Sequence, residues 1–183
     1  MINLNELFLI LIMIDIVDDF LPSYHADMYE KTFNGMKKGF GGFQWFFIND
    51  LNGKSYLGNY YFNNTVFSLE NNINNQNLMP LFHPILFKLQ VPLNRLWRLK
   101  VNLYTRTQLR VHHMSHTDYE PNSGLRTCLY YVNTNNGVTV FDGKKKIRSK
   151  KNRAILFDGS NTHHSTTPTD VNYRCSINID YML

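Results

Sequence analysis

The sequence predicts an all-β core with helices on its N-terminal side, an α+β arrangement in which the core is a sandwich or a barrel. Three observations predict this class. Short strand-like segments recur at nearly regular spacing from residue 99 onward, Gly, Asn and Pro residues punctuate them, and no long helical pattern separates them. A parallel α/β sheet is therefore disfavoured.

The chain has 183 residues, which suits one compact domain that buries roughly 70% of the surface exposed by the unfolded chain. We expect a single domain over residues 1–183. Residues 1–95 are expected to supply flanking helices and extra strands. Residues 96–183 are expected to form the β core that carries the functional groups.

An apolar run, Leu7–Ile14, lies near the N-terminus between Glu6 and Asp15. It is too short to span a bilayer, and it lacks the basic flank and the small-residue cleavage site of a signal peptide. We interpret it as a buried strand or helix start, with a signal anchor as the less favoured alternative. The two cysteines, Cys128 and Cys175, lie in apolar segments and are interpreted as free thiols. We therefore expect a cytoplasmic protein with no membrane partner.

Two helices and one hairpin are predicted before the core. A helix is expected over residues 24–36, after a Pro-Ser pair, and another over Met79–Leu89. The dipeptide Asn52-Gly53 is the strongest hairpin signal in the chain. A His-x-Asp pair, His25 and Asp27, falls in the first helix, where residues i and i+2 diverge by about 200°. That pair is therefore excluded as a chelating site.

The core strands are predicted from the alternation of polar and apolar residues. The expected segments are 99–105, 109–118, 126–132, 138–141, 146–149, 153–158 and 173–181. Along the last segment, polar and apolar residues alternate from Arg174 to Tyr181. Because successive side chains of a strand face opposite sides, we interpret this segment as a barrel wall with a polar inner side. The alternative is an edge strand with its polar side in water.

A potential metal site lies within the second of these segments. His116 and Asp118 are two residues apart, and residues i and i+2 of a strand point to the same face. They could bind one ion, with a third ligand supplied by His163 or His164 further along the chain. Two histidines and one carboxylate leave one side of the ion open, as in non-haem Fe(II) enzymes that activate dioxygen.

Three motifs together resemble those of the 2-oxoglutarate/Fe(II)-dependent oxygenases: His116-x-Asp118, His164 and Arg174-x-Ser176. The segment Asn102-Leu103-Tyr104 is similar to the strand that binds the co-substrate in some members. Residues 127–133 resemble the strand that follows the metal motif in the prolyl 4-hydroxylase-like branch. The resemblance covers residues 96–183 and is faint before them.

This resemblance implies a double-stranded β-helix, which is a jelly roll or cupin-like fold. It implies Fe(II) as the metal, 2-oxoglutarate as co-substrate, dioxygen, and hydroxylation of a C–H bond in a prolyl residue, another peptide group or a small molecule. The implied metal ligands are His116, Asp118 and His164, with His163 as the alternative to His164. The implied co-substrate residues are Arg174, Ser176, Tyr131, Tyr104 and Asn102. An arginine suits this role because its guanidinium presents two parallel donors to a carboxylate.

Periodicity alone leaves the choice between His163 and His164 open. The spacing to Arg174 resembles that of the family and favours His164. Two further histidines, His112 and His113, are less favoured as ligands and are interpreted as part of the pocket wall or as residues that support the metal ligands.

The net charge of +5 and the pI of about 9.2 are mild for a dedicated nucleic-acid binder. Much of the positive charge lies in one run, Lys144–Arg153, which we interpret as a solvated hairpin. A nucleic-acid-directed oxygenase or binding module that uses this run is the less favoured alternative. A further alternative is a jelly-roll protein that holds zinc and has no redox chemistry.

Overall fold

The computed structural model describes residues 14–34, 43–49 and 60–183. The apolar run before Ile14, the predicted extension of the first helix beyond residue 34 and the Asn52-Gly53 hairpin lie outside the described residues. Within the described ranges, no helix has the length and apolar character needed to cross a membrane.

Two α-helices, one short 3₁₀ helix and eleven strands are formed by the described residues. The helices are α1 (Ser23–Phe33) and α2 (Met79–Leu89), and the 3₁₀ helix is Leu93–Arg95. The strands are β1 (Asp15–Val17), β2 (Phe46–Ile48), β3 (Tyr61–Ser68), β4 (Ile73–Asn74), β5 (Leu96–Thr105), β6 (Leu125–Tyr131), β7 (Val138–Phe141), β8 (Lys145–Arg148), β9 (Arg153–Asp158), β10 (His163–Ser165) and β11 (Tyr173–Met182).

The strands form two antiparallel sheets. The larger sheet has the order β1-β9-β6-β11-β5-β3-β2, with β4 paired to β3, and the smaller sheet has the order β10-β7-β8. Apolar residues of β6 and β9 pack against residues of β7 and β8, so the two sheets face each other. This inner cluster consists of Leu129, Tyr131, Phe141, Ile147, Ile155 and Phe157.

The helices cover the outer face of the larger sheet. Helix α1 buries Ala26, Tyr29 and Phe33, which lie on one face because they are three and four residues apart. The Tyr29 ring packs against Phe82 of α2 at 6.2 Å between centroids and against Tyr130 of β6 at 5.8 Å. The predicted arrangement of an all-β core with N-terminal helices is confirmed.

Strand β11 has two buried faces of opposite character. Its apolar residues, such as Ile177 and Ile179, belong to the apolar cluster beneath the helices. Its polar residues, from Arg174 to Asp180, are buried on the opposite face. Because β11 pairs with β5 on one side and β6 on the other, it is a central strand. The predicted barrel wall is confirmed, and the alternative of an exposed edge strand is wrong.

Two predicted elements differ from those observed. The expected strand 109–118 runs antiparallel beside β10 but forms only two isolated bridges, His112↔Thr166 and His116↔His163, because the pairing register shifts by one residue between them. Helix α1 ends at Phe33, where the sequence continues with Asn34-Gly35, two residues of low helix propensity. The predicted helix over Met79–Leu89 and the two free, buried cysteines are confirmed.

Candidate metal centre and its cavity

His116 and His163 are held side by side by a closed pair of backbone hydrogen bonds. The N–H of His116 donates to the carbonyl oxygen of His163 at 2.9 Å, and the N–H of His163 donates to the carbonyl oxygen of His116 at 2.8 Å. Residues opposite each other in an antiparallel pair project their side chains to the same face. The two rings therefore meet, with their centroids 4.6 Å apart.

Backbone carbonyls fix the tautomer of both rings. The Nδ1 atom of His116 lies 3.2 Å from the carbonyl oxygen of Met114, and that of His163 lies 2.9 Å from the carbonyl oxygen of Asn161. A carbonyl oxygen only accepts, so each Nδ1 carries the proton and each Nε2 keeps a free lone pair. Burial, followed by nearby His163, lowers the pKa of His116 to about 4. Its ring is therefore neutral at pH 7, the form that binds a metal.

Asp118 completes the cluster. Its N–H donates to the carbonyl oxygen of Gly159 at 2.9 Å, which fixes the backbone two residues after His116. Its Oδ2 lies 3.7 Å from Nε2 of His163, while its Oδ1 accepts from Arg98 at 2.8 Å. One potential ligand atom from each of His116, Asp118 and His163 lies within 4.8 Å of the others. We call these three residues the triad.

Two buried carboxylates share the guanidinium of Arg98. Asp180 accepts from its Nε at 2.7 Å, and Asp118 accepts from its Nη2 at 2.8 Å. Burial raises the pKa of Asp118, but the electrostatic interactions with His163, Lys100 and Arg98 outweigh burial and leave that pKa below its usual value. Burial, followed by the charge of Asp118, raises the pKa of Asp180. Asp118 is therefore the carboxylate better suited to hold a cation.

His164 lies outside the triad. Successive side chains of a strand point to opposite faces, so His164 faces away from His163. Its Nε2 lies 3.1 Å from Nδ1 of His112, and its Nδ1 lies 3.1 Å from Oγ of Ser115. The expectation that His164 supplies the third ligand atom is therefore corrected, because the structure places the alternative residue, His163, in the cluster.

Arg174 is 1% exposed and lines the same cavity as the two histidines of the triad. Its Nε donates to Oγ of Ser149 at 2.7 Å, its Nη1 to the carbonyl oxygen of Thr166 at 3.1 Å, and its Nη2 to Oγ1 of Thr139 at 2.8 Å. None of these acceptors is an anion, and Arg174 forms no ion pair with any described residue. A guanidinium has five N–H donors, of which these bonds use three, and Arg174 also interacts with the hydroxyl of Tyr131.

Two tyrosines flank this guanidinium. The rings of Tyr104 and Tyr131 lie 5.7 Å and 5.5 Å from Cζ of Arg174. The hydroxyl of Tyr131 donates to Oγ1 of Thr139 at 2.7 Å. The ring of Tyr104 stacks on His113 at 4.7 Å between centroids, so His113 supports a residue that lines the cavity. His112, by contrast, is exposed outside the cavity.

Asn102 and Ser176 lie opposite each other on β5 and β11, and both line the cavity. The side-chain amide of Asn102 donates to Oδ1 of Asn178 at 3.1 Å. Its own Oδ1 is buried and makes no hydrogen bond with the described residues. Four of the residues predicted to bind a co-substrate, Arg174, Ser176, Tyr104 and Asn102, thus line one cavity, and Tyr131 lies against the guanidinium of Arg174.

Sequence reasoning missed Lys100, which also lines this cavity. It lies two positions before Asn102 on β5 and therefore on the same face. Burial, followed by the like charge of Arg98, lowers the pKa of Lys100 to about 8. Alternation of polar residues along β5 was the signal in the sequence that could have identified it.

The basic run is divided by the fold into two groups. Three of its cations form ion pairs with acidic residues of the N-terminal segment: Lys150 and Arg153 with Asp18, and Lys151 with Asp27 and Glu30. The other four are exposed on or beside β8: Lys144, Lys145, Lys146 and Arg148. The predicted hairpin within this run is wrong, because β8 pairs with β7 in the smaller sheet and β9 belongs to the larger sheet. Part of the charge of the run is neutralised within the molecule.

No protein-family model matches the chain, and a search of curated protein sequences finds no match. Similar folds occur among solved structures. A prolyl-4-hydroxylase from Pseudomonas putida aligns at 13% identity over 93% of this chain and 92% of that chain, with a TM-score of 0.56.

Two further structures extend this likeness. A prolyl hydroxylase from Trichoplax adhaerens, solved with a peptide fragment of the oxygen degradation domain of hypoxia inducible factor, aligns at 18% identity over 97% and 86% of the two chains, with a TM-score of 0.53. The non-heme alpha ketoglutarate dependent epimerase SnoN from nogalamycin biosynthesis aligns at 13% identity over 92% and 77%, with a TM-score of 0.59. At these identities the likeness shows the fold, and the predicted double-stranded β-helix is confirmed.

Proposed function

We propose that this protein is an Fe(II)- and 2-oxoglutarate-dependent dioxygenase that hydroxylates a C–H bond. One observation carries the proposal: a buried guanidinium, Arg174, lines the same cavity as the two histidines of the triad and has no anionic partner among the described residues. Burying an unpaired cation is costly. A site that pairs an open metal centre with such a cation is suited to a ligand that is both a chelator and a carboxylate.

The donor set of the triad fits a divalent iron. Two neutral imidazoles and one ionised carboxylate are suitable ligands for Fe(II), and their arrangement on one side leaves positions for other ligands. Both histidines have their second nitrogen engaged by a carbonyl, and Asp118 has its second oxygen engaged by Arg98. Such outer contacts orient the ligands and tune their basicity. His116, Asp118 and His163 would hold the metal.

The opposite part of the cavity fits the distal carboxylate of 2-oxoglutarate. The guanidinium of Arg174 is planar and presents parallel N–H donors, a geometry that matches the two oxygens of a carboxylate. Ser176 and Tyr104 line the same cavity, and the hydroxyl of Tyr131 is held by Thr139. The unpartnered Oδ1 of Asn102 accepts a hydrogen bond from a bound water molecule or from the substrate side.

Fe(II), when bound with 2-oxoglutarate and dioxygen, supplies the oxidising chemistry. The protein's own contribution is to hold the co-substrate at both ends and to exclude water. The aromatic wall formed by Tyr104, Tyr131 and His113 serves the second purpose, since all three are buried. Rigid placement of the reactants limits the consumption of 2-oxoglutarate without substrate.

Two of the similar structures described above are prolyl hydroxylases, and one of them was solved with a peptide. A prolyl residue in a peptide is therefore the first substrate class to test, followed by small molecules. The measurement is formation of succinate from 2-oxoglutarate with and without each candidate. Three exposed lysines precede Ile147 of β8: Lys144, Lys145 and Lys146. Because they present positive charge, acidic polymers, including nucleic acid, are a further substrate class to test.

The test of the proposal is an anaerobic titration with Fe(II) and 2-oxoglutarate. We expect a weak visible charge-transfer band only when both are present. The Arg174→Met substitution should weaken 2-oxoglutarate binding by about 10- to 100-fold, because a bidentate charged contact is lost. It should leave the affinity for Fe(II) unchanged. The matched control is Arg148→Met, an exposed arginine of β8 outside the cavity.

Two outcomes would count against an oxygenase. If Fe(II) and Zn(II) bind to the triad but 2-oxoglutarate changes neither the spectrum nor the heat of binding, the protein is a non-redox metal-binding jelly roll. If Arg174→Met and Arg148→Met bind 2-oxoglutarate equally well, Arg174 has no part in its recognition.

A further inference from the structure

Lys100 is a cavity-lining cation that the proposed co-substrate does not account for. It lies on β5 and shares the cavity with His116, His163 and Arg174. Its ammonium group makes no hydrogen bond or ion pair with any described residue. An amine removed from water without a partner is destabilising, so its presence in a cavity indicates that a ligand supplies the missing partner.

The two nearest carboxylates are already engaged. Asp180 accepts from Arg98 at 2.7 Å, from Thr127 at 2.7 Å and from Tyr119 at 3.2 Å. Asp118 gives one oxygen to Arg98 at 2.8 Å and directs the other toward His163. Neither carboxylate is therefore available as a counter-ion for Lys100 alone.

Lys100 and Arg174 lie at different depths of the barrel. In the ladder between β5 and β11, Lys100 pairs with Asn178, four residues along the strand from Arg174. Four residues of a strand span about 13 Å. The charge of Lys100 acts on His116 and Asp118, whereas that of Arg174 acts on the tyrosines and His113. Lys100 is thus the cation at the metal end.

The charges of the loaded site do not balance. A divalent metal, Arg98, Lys100 and Arg174 carry five positive charges, whereas Asp118, Asp180 and the 2-oxoglutarate dianion carry four negative ones. One positive charge is left at the metal end, where the substrate must approach. In a site of low dielectric such an excess favours an anionic ligand.

We propose that Lys100 determines substrate specificity by binding an oxyanion group of the substrate, a carboxylate or a phosphate, beside the triad. The inference rests on the proposed function and names the substrate class: a molecule whose reactive C–H bond lies close to an acid group. A neutral prolyl side chain alone does not satisfy this requirement, so a prolyl substrate needs an acidic group near the ring.

The experiment measures anion binding with calorimetry and thermal unfolding, under anaerobic conditions, on protein loaded with Fe(II) and saturating 2-oxoglutarate. The probes are acetate for a carboxylate and inorganic phosphate for a phosphate. We expect one of them to bind the wild type, at least about tenfold weaker binding in Lys100→Met, and recovery in Lys100→Arg. The probe that binds identifies the oxyanion. Lys88→Met, at an exposed lysine of α2 outside the cavity, is the matched control.

A second measurement separates a substrate role from a co-substrate role. If Lys100 binds the substrate, the Kd of Lys100→Met for 2-oxoglutarate stays within about threefold of the wild-type value. The Kd of Arg174→Met for 2-oxoglutarate rises by more than that. Equal loss in both variants would assign Lys100 to the co-substrate and overturn the proposal. Failure of both probes to bind the loaded wild type, or equal binding by Lys100→Met, would also overturn it.

The failure of the proposed function would look different. In that case the wild type binds no 2-oxoglutarate, and the anion titration is repeated on the metal-loaded Arg174→Met variant, which removes the other cavity cation. Binding that then depends on Lys100 would support an anion site in a protein that is not an oxygenase. Anion binding that does not change when Lys100 is replaced would refute the anion site as well.

Discussion

His163 and His164 are neighbours in the chain, but their rings have different surroundings. His163 faces the inner cluster, where its ring lies 5.0 Å from Phe157 and 4.6 Å from His116. His164 faces outward, beside His112. The alternation of a strand decides this, because only one of two successive residues can face the barrel interior. The spacing of residues in the sequence does not show which of the two histidines faces inward, because the strand is only three residues long.

This difference predicts opposite outcomes for two alanine variants. His163→Ala removes one of three ligand atoms and should weaken Fe(II) binding by more than about 100-fold. His164→Ala should leave the affinity within about threefold, because its ring contacts only residues outside the triad. Anaerobic metal titration measures both. A larger loss in His164→Ala than in His163→Ala would show that the metal uses the outer ring.

His113 gives the metal-free protein an acid sensitivity. Its ring is buried, its Nδ1 lies 2.8 Å from Oγ of Ser165, and its Nε2 has no partner among the described residues. Burial, followed by the charge of Arg174, lowers its pKa to about 3. As the pH falls below 6.5, the unfolded chain therefore takes up a proton before the folded one, and stability is lost.

We expect the free energy of unfolding to fall by up to about 1.4 kcal/mol per pH unit for this histidine between pH 6.5 and 5. Urea denaturation of the metal-free protein at several pH values measures the slope. In His113→Asn, which keeps an amide near Ser165, the slope should be smaller by that amount. An unchanged slope would mean that the folded protein does not lower the pKa of His113.

At the scale of elements, two glycines in loops determine where the functional side chains lie. A Cβ atom at Gly137 would lie 2.8 Å from Cδ of Arg174 and 3.2 Å from the carbonyl oxygen of Thr166. A Cβ atom at Gly159 would lie 2.8 Å from the ring of Tyr119. The first glycine makes room for the buried guanidinium, and the second allows the segment after His116 to approach β9.

The two glycines predict separable defects. Gly137→Ala should weaken 2-oxoglutarate binding by about tenfold or more, since a shift of about 1 Å in a positioned group is costly, and should spare iron binding. Gly159→Ala should weaken iron binding first, because the Gly159 carbonyl oxygen holds Asp118. Calorimetry with each ligand measures both. The same defect in both variants would indicate general destabilisation, which thermal unfolding would reveal.

Elements with strong periodicity were predictable from the sequence, and elements defined by tertiary contact were not. The long strand β11 was identified because polar and apolar residues alternate over its length, and α2 because of its start at a proline. The segment 109–118 was overestimated as a strand, and β10 was missed, because bridges such as His116↔His163 depend on a partner 47 positions away in the numbering.

The candidate site follows the same division. Arg174, Ser176 and Asn102 were predictable because they alternate on long strands and match a family motif. Lys100 belongs to no such motif, and its importance appears only when the folded chain shows which cations lack a partner. Arg98 and Asp180 were missed for a similar reason, since their ion pair joins β5 to β11.

At the scale of the whole molecule, Asn152 joins the N-terminal segment to the core. Its Oδ1 accepts from the N–H of Leu21 at 2.9 Å and from the hydroxyl of Tyr130 at 3.1 Å, and its Nδ2 donates to the carbonyl oxygen of Leu21 at 2.7 Å. Its φ of 63° is in the left-handed region, which asparagine tolerates better than most residues. One side chain therefore links three segments.

Asn152→Ala should lower the free energy of unfolding by about 3 kcal/mol, because buried polar groups lose their partners and alanine is strained at positive φ. Asn152→Gly relieves the backbone strain and should cost about 1 kcal/mol less. Urea denaturation of the two variants separates the side-chain contribution from the backbone contribution. Equal losses would show that the backbone conformation is not strained.

The unpaired cations of the cavity also affect the lifetime of the protein. A ligand present at 100 times its dissociation constant stabilises a folded chain by about 2.7 kcal/mol. An organic acid that pairs with Arg174 or Lys100, which have no counter-ion among the described residues, would therefore slow the opening of the chain. Susceptibility of the protein to proteases should fall as the concentration of that acid rises.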